Sequence, residues 1–119
     1  MAAPNLVAVD TITGKTDILA MTTTLTAITT NAAASNKVYK VNSLIISNID
    51  GTNNANVRAS LQRSSTDHYF AYDIEVPADS TLVLIAKDAG IYLEEGDAIR
   101  LYASANSDLK GFCSYEILE

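Results

Sequence analysis

Along most of the chain apolar and polar residues alternate with a period of two, the spacing of a strand with one buried and one wet face. In Val57-Arg-Ala-Ser-Leu-Gln-Arg-Ser64, Val57, Ala59 and Leu61 fall on one side and Arg58, Ser60, Gln62 and Ser64 on the other. Residues 69–76 place Phe70, Tyr72, Ile74 and Val76 together, with Ala71, Asp73 and Glu75 opposite, and Pro77 then withholds the next ladder donor. Residues 37–49 begin with the same alternation and turn apolar on both faces at Leu44, Ile45 and Ile46, which predicts a central strand. Residues 80–86 repeat that two-sided character, and residues 98–103 and 110–117 predict a final hairpin joined by residues 104–108. No stretch of about a dozen residues shows an apolar period of 3.6, so helices are predicted to be absent or short.

Turn chemistry separates these runs: residues 50–56 form a polar loop, Ser64-Ser-Thr-Asp-His68 a hairpin turn and Lys87-Asp-Ala-Gly90 a third bend. The first third is less regular. Residues 18–30 predict one or two Thr-rich strands after a bend at Gly14, and residues 31–36 a loop or a single helical turn. Residues 1–13 are predicted to be an extended arm whose Leu6, Val7 and Val9 add an edge strand to this domain or to a neighbour. About seven to nine short strands with regular turn signals define an all-β fold, an antiparallel β-sandwich of jelly-roll or immunoglobulin-like topology over residues 14–119. A small closed barrel is the alternative.

Composition narrows the functional classes. The 119 residues suffice for one domain with one core. Fourteen acidic against eight basic side chains give a net charge of −6, and without a Lys/Arg run nucleic acid is not an expected partner. Without a basic patch or a long apolar run, neither is a membrane. Met1-Ala-Ala-Pro-Asn-Leu6 lacks a basic start and a sustained apolar segment, so folding in a cytoplasm is expected. Cys113 is the single cysteine; it excludes an intrachain disulfide and a thiol-rich metal site, and its alternation with Gly111, Tyr115 and Ile117 predicts burial.

Candidate chemistry is sparse. Glu94, Glu95 and Asp97 surround Gly96, where one apolar run ends and the next begins, and are read as a hydrated turn. A loop calcium site there is the functional alternative, although EF-hand spacing is missing. His68, the single histidine, falls in a predicted turn and is read as a solvated loop residue. No catalytic residue, cofactor site or resident metal is expected, since no nucleophile-elbow, Walker-type or dinucleotide-binding pattern occurs. Tyr92, Arg100 and Tyr102 are placed on one face of the last hairpin, where tyrosine beside arginine is composition typical of an interface. With Leu6, Val7 and Val9 they form the expected partner contacts.

The second half also carries a resemblance. Val38-Tyr-Lys-Val-Asn-Ser-Leu-Ile-Ile-Ser-Asn-Ile-Asp-Gly-Thr-Asn53, Val76-Pro-Ala-Asp-Ser-Thr-Leu-Val83, Ile91-Tyr-Leu-Glu-Glu-Gly-Asp97 and Ala103-Ser-Ala-Asn-Ser-Asp108 together resemble small β-sandwich structural proteins of tailed bacteriophages, including cyanophage-type virions. The resemblance covers roughly residues 37–118. It implies a non-enzymatic virion component, a capsid cement or decoration protein bound to the major capsid protein as a homo-oligomer, for which a trimer would match a local symmetry axis. A neck, tail or baseplate protein, or a carbohydrate- or cell-surface-binding module, are the alternatives.

Overall fold

The computed structural model describes residues 6–119. Nine strands account for most of them: β1 (Ile12–Ala20), β2 (Thr26–Thr30), β3 (Val38–Asn48), β4 (Ala55–Arg63), β5 (Thr66–Val76), β6 (Thr81–Ile85), β7 (Ile91–Leu93), β8 (Ala98–Ala103) and β9 (Leu109–Leu118). A 3-10 turn at Lys87–Ala89 is the one helical element among the described residues.

Two antiparallel sheets result. Sheet A has the order β1-β9-β3-β6, with β7 pairing β3 next to β6, and sheet B has the order β2-β8-β4-β5. The pairs β1·β9, β2·β8, β3·β6/β7 and β4·β5 are nested, as in one long hairpin doubled back at the β4–β5 turn. Rolling that hairpin sets β9 beside β3 and β8 beside β4, which completes both sheets. This is a jelly roll, and it excludes the immunoglobulin-like and closed-barrel orders.

The core lies between the sheets. Val57, Ala59 and Leu61 oppose Ala103, Leu101 and Ile99 in sheet B, while Val41, Leu44 and Ile46 oppose Tyr115, Cys113 and Gly111 in sheet A. All but Leu61 and Gly111 are buried hydrophobic residues of one cluster. A Cβ at Gly111 would stand 2.7 Å from Leu101 Cδ1, so glycine at this inward position is what lets Leu101 of the facing sheet pack against the β9 backbone. The prediction of β3 as a central strand holds, as does the burial of Cys113.

Several sequence expectations change. Residues 98–103 and 110–117 do not form a hairpin, because β8 belongs to sheet B and β9 to sheet A. Each buries one face, and their apolar faces meet across the core rather than side by side. The β4–β5 turn is only Ser64 and Ser65, with φ of 53° and 63°, the mirror-image turn that matches the twist of a tight hairpin. His68 therefore lies in a strand. Gly14 lies inside β1, not at a bend, and β6 is an edge strand with Val83 more than half exposed.

The strict alternation expected for residues 69–76 also fails. Val57 faces Ile74, Ala59 faces Ala71 and Leu61 faces His68, so inward positions on β5 step by three residues, not two. Two bulges on β5 absorb the extra residues.

Candidate interaction surfaces

The second of these bulges creates the most distinctive surface. Between the pairs Val57–Ile74 and Ala59–Ala71, the single residue Arg58 faces both Tyr72 and Asp73. Asp73 takes φ 54° there. Its carboxylate accepts hydrogen bonds from Arg58 Nε (2.7 Å) and Nη2 (3.3 Å). The guanidinium carbon lies 4.2 Å from the centre of the Tyr72 ring and 4.7 Å from that of Tyr102. Tyr69 meets Tyr72 edge to face at 5.2 Å. The hydrogen bond to Asp73 raises the Arg58 pKa above the ordinary arginine value, so a permanent cation is clasped between two rings on the outer face of sheet B. Tyr72 remains 57 % exposed.

The expected grouping of Tyr92, Arg100 and Tyr102 is not realised. Tyr92 lies on β7 in sheet A, opposite Lys40, whereas Arg100 and Tyr102 lie on β8 in sheet B. Arg100 donates to Asp67 (3.2 Å) and to the Leu25 carbonyl (3.0 Å), and Tyr102 joins the Arg58 cluster. The pairing of β7 with β3 instead of β8 is what separates them.

Within the predicted arm, residues 1–5 lie outside the described residues. Leu6 and Val7 expose their side chains, Val7 to 98 %. Residues 6–8 lie in a turn and bend and Val9 in irregular backbone, so none of them adds an edge strand to this domain. Asp10 N and Thr11 N both donate to the Glu119 carbonyl, and Glu119 N donates back to Thr11. Ordered strand pairing begins only at Ile12.

The acidic bend between β7 and β8 is a structural knot. Gly96 supplies the positive φ of 89°. Asp97 is 1 % exposed, contrary to the expectation of a hydrated turn. Its carboxylate accepts from Arg63 Nε (2.9 Å), from Arg63 Nη2 and from the Glu94 N–H (2.9 Å). Arg63 also pairs with Glu94 at 2.9 Å, and these carboxylates raise its pKa, the Asp97 hydrogen bond most of all. Glu95 accepts from the Asn36 N–H (2.9 Å), and Gly96 N donates to the Asn31 carbonyl (2.8 Å). Asp97 and Glu94 thus share Arg63 while Glu95 turns to the Asn36 N–H, so all three carboxylates are engaged by protein groups. Among the described residues no group of three or more His, Cys, Asp or Glu side chains is arranged to hold a metal ion.

His68 lies beside an apolar cavity of about 450 Å³ between the edge of β5 and the β6–β7 edge, lined by Leu61, Phe70, Leu84, Ile85 and Ile91. Cys113 has no exposure, and burial pushes its thiol up to about 11 against a weaker opposing hydrogen bond to Thr29. That setting is the reverse of an activated thiolate. Asp17, which pattern reading passed over, accepts from Thr29 Oγ1 (3.0 Å) and from the Tyr115 hydroxyl (2.9 Å). It ties both sheets together. Burial and the adjacent Asp17 raise the Tyr115 pKa above its usual value.

Fold and surfaces together define a nine-stranded jelly-roll domain with an Arg–Tyr patch on one sheet. No protein-family model matches the chain, and no curated protein shows significant similarity to it. Among solved structures it is similar to a chain from the disulfide-linked pili formed by Bacillus endospore appendages, with 15 % identity, a TM-score of 0.53 and coverage of 91 % of this chain and 88 % of that one. Likeness at this level shows a shared fold.

Proposed function

We propose that the chain is a non-enzymatic structural subunit that acts as a cement or decoration protein on the outside of a tailed-phage capsid lattice. The observation that carries this reading is the Arg58 guanidinium held between Tyr72 and Tyr102, with Tyr69 alongside. Large rigid rings around a fixed cation, more than half open at Tyr72, are the composition of an energetic centre in a protein interface. The domain works as a rigid clamp that bridges neighbouring capsomers. Because it binds only the assembled shell, it favours assembly by simple linkage. Particles lacking the protein should release DNA at a lower temperature than complete ones; equal resistance rejects the role. Particles decorated with Tyr72→Ala protein should show reduced occupancy.

The fold shared with the Bacillus pilus chain favours a second reading, a subunit of a filament or appendage. Here the single cysteine, Cys113, is fully buried, so a filament of this chain would be held by noncovalent contacts. Electron microscopy of the purified protein alone separates the readings: filaments support the second, and binding only to capsids supports the first. A glycan array tests whether the Tyr69–Tyr72 pair instead forms a sugar platform.

A further inference from the structure

The outer face of sheet A carries a pattern that neither reading uses. Ile18 stands opposite Phe112, Phe112 opposite Ile45, and Ile45 opposite Val83. One apolar side chain from each of β1, β9, β3 and β6 therefore lies in a single row across the whole sheet. Both ends of the row are open, with Ile18 62 % and Val83 55 % exposed. The row on one side consists of Thr16, Ser114 and Ser43, small enough to leave the apolar row standing as a low ridge. A sheet face bathed in solvent normally alternates to polar side chains at such positions. This one does not.

Charge and size point to the occupant. The outward positions of β1 (Ile12, Gly14, Thr16, Ile18 and Ala20) carry no charge. On β3 and β9 the charged positions are Lys40, Lys110 and Glu116, and Lys40 stands directly opposite Glu116. The carboxylates behind the net charge of −6 thus lie mostly elsewhere, and two copies can bring this face together with little of the repulsion their other surfaces would meet. Four strands about 4.8 Å apart and roughly 30 Å long offer about 600 Å² per copy, or about 1,200 Å² for a pair, the lower bound of a stable specific interface. We propose that this face joins two copies of the chain, sheet against sheet, with the apolar row at the centre of an isologous contact. The proposal rests on the reading of the chain as an assembly subunit.

Sedimentation velocity on the full chain tests it, comparing the wild type with Ile18→Thr, Val83→Thr, the double variant and Tyr72→Thr on sheet B. Threonine keeps the strand preference while removing apolar surface, and unchanged circular dichroism verifies folding. The expected result is a dimer or larger species, weakened about tenfold or more by each sheet A change, monomeric in the double variant and unaffected by Tyr72→Thr. As a second measurement, a short bismaleimide should join two copies of Ser114→Cys but not of Ser64→Cys. A wild type that is monomeric at high micromolar concentration overturns this contact, while the subunit reading stands or falls separately with the capsid-binding and particle-stability experiments. If the wild type assembles, yet the sheet A variants assemble equally well and Ser114→Cys fails to cross-link, the contact alone is overturned.

Discussion

Replacing Asp97 by alanine removes the anchor of the β7–β8 bend without touching the apolar core. The lost carboxylate is almost fully buried and receives two bonds from Arg63 and one from the Glu94 N–H. Breaking a buried charge pair costs about 3–5 kcal/mol when the remaining charge has no alternative. Here Arg63 has one: its side chain is 45 % exposed and already touches Glu94, so water and that carboxylate recover part of the loss. We expect about 2–3 kcal/mol, against a total of roughly 6–18 kcal/mol for a domain of this length. That is a fall of about 10 °C in Tm. Urea titration of the wild type, Asp97→Ala and Glu94→Ala provides the comparison, since Glu94 is an exposed partner whose removal should cost less than about 0.5 kcal/mol. An Asp97→Ala loss no larger than that of Glu94→Ala refutes the anchor. Calcium supplies an independent check: a rise in wild-type Tm in millimolar calcium that disappears in Asp97→Ala would make this carboxylate a metal ligand instead.

Further predictions follow from backbone contact and buried ionisation. A Cβ at Gly90 would sit 2.5 Å from the Val41 carbonyl oxygen, whereas one at Gly14 would meet nothing within 4 Å. Gly90→Ala should thus lose about 2 kcal/mol or more, and Gly14→Ala should be neutral or gain up to about 1 kcal/mol in a thermal melt. The Cys113 thiol is held at about 11 in the fold, above the ordinary 9.0. Its contribution is complete below pH 9 and is lost as pH rises from about 9 to 11, because the unfolded chain ionises first; the loss is roughly 2–3 kcal/mol. Tyr115 acts in the same direction, so Cys113→Ala should reduce the alkaline loss of urea stability but not abolish it. Tyr115→Phe removes the hydroxyl bond to Asp17 and should cost about 1 kcal/mol at neutral pH.

The legible parts of this fold were those governed by one-sided burial. In β4 the alternation of Val57, Ala59 and Leu61 with Arg58 and Gln62 is the observed division into faces. The two-sided apolar run at Leu44, Ile45 and Ile46 marked β3 correctly as interior. Partner choice was not legible in the same way, because a strand's pattern says that it has a buried face but not which strand lies beside it. Hence β8 and β9, adjacent in sequence, were read as a hairpin and proved to be on opposite sheets. The Asp73 bulge in β5 was invisible because it breaks the period through backbone geometry at a residue whose type does not demand positive φ. That same bulge assembles the Arg58 cluster, so the surface signal was hidden with it. The Asp97 anchor escaped for a related reason: its partner Arg63 is 34 positions away in the chain.

Nesting the first strand against the last has a consequence for how this protein is made. The nine pairs of β1 with β9, from Ile12–Leu118 to Ala20–Lys110, join residues about as far apart as the chain permits. The β4–β5 hairpin can form locally and early, but β3 remains unpaired on one side until β9 arrives, and β1 has no partner strand before then. Sheet A can therefore close only after residues 109–118 have emerged from the ribosome, and closure must overcome the entropy of long loops. Folding should be slow, with the apolar row of sheet A assembled last. A contact face of the kind proposed for sheet A would be the final part of the fold to form, and so would be protected from associating while the chain is incomplete.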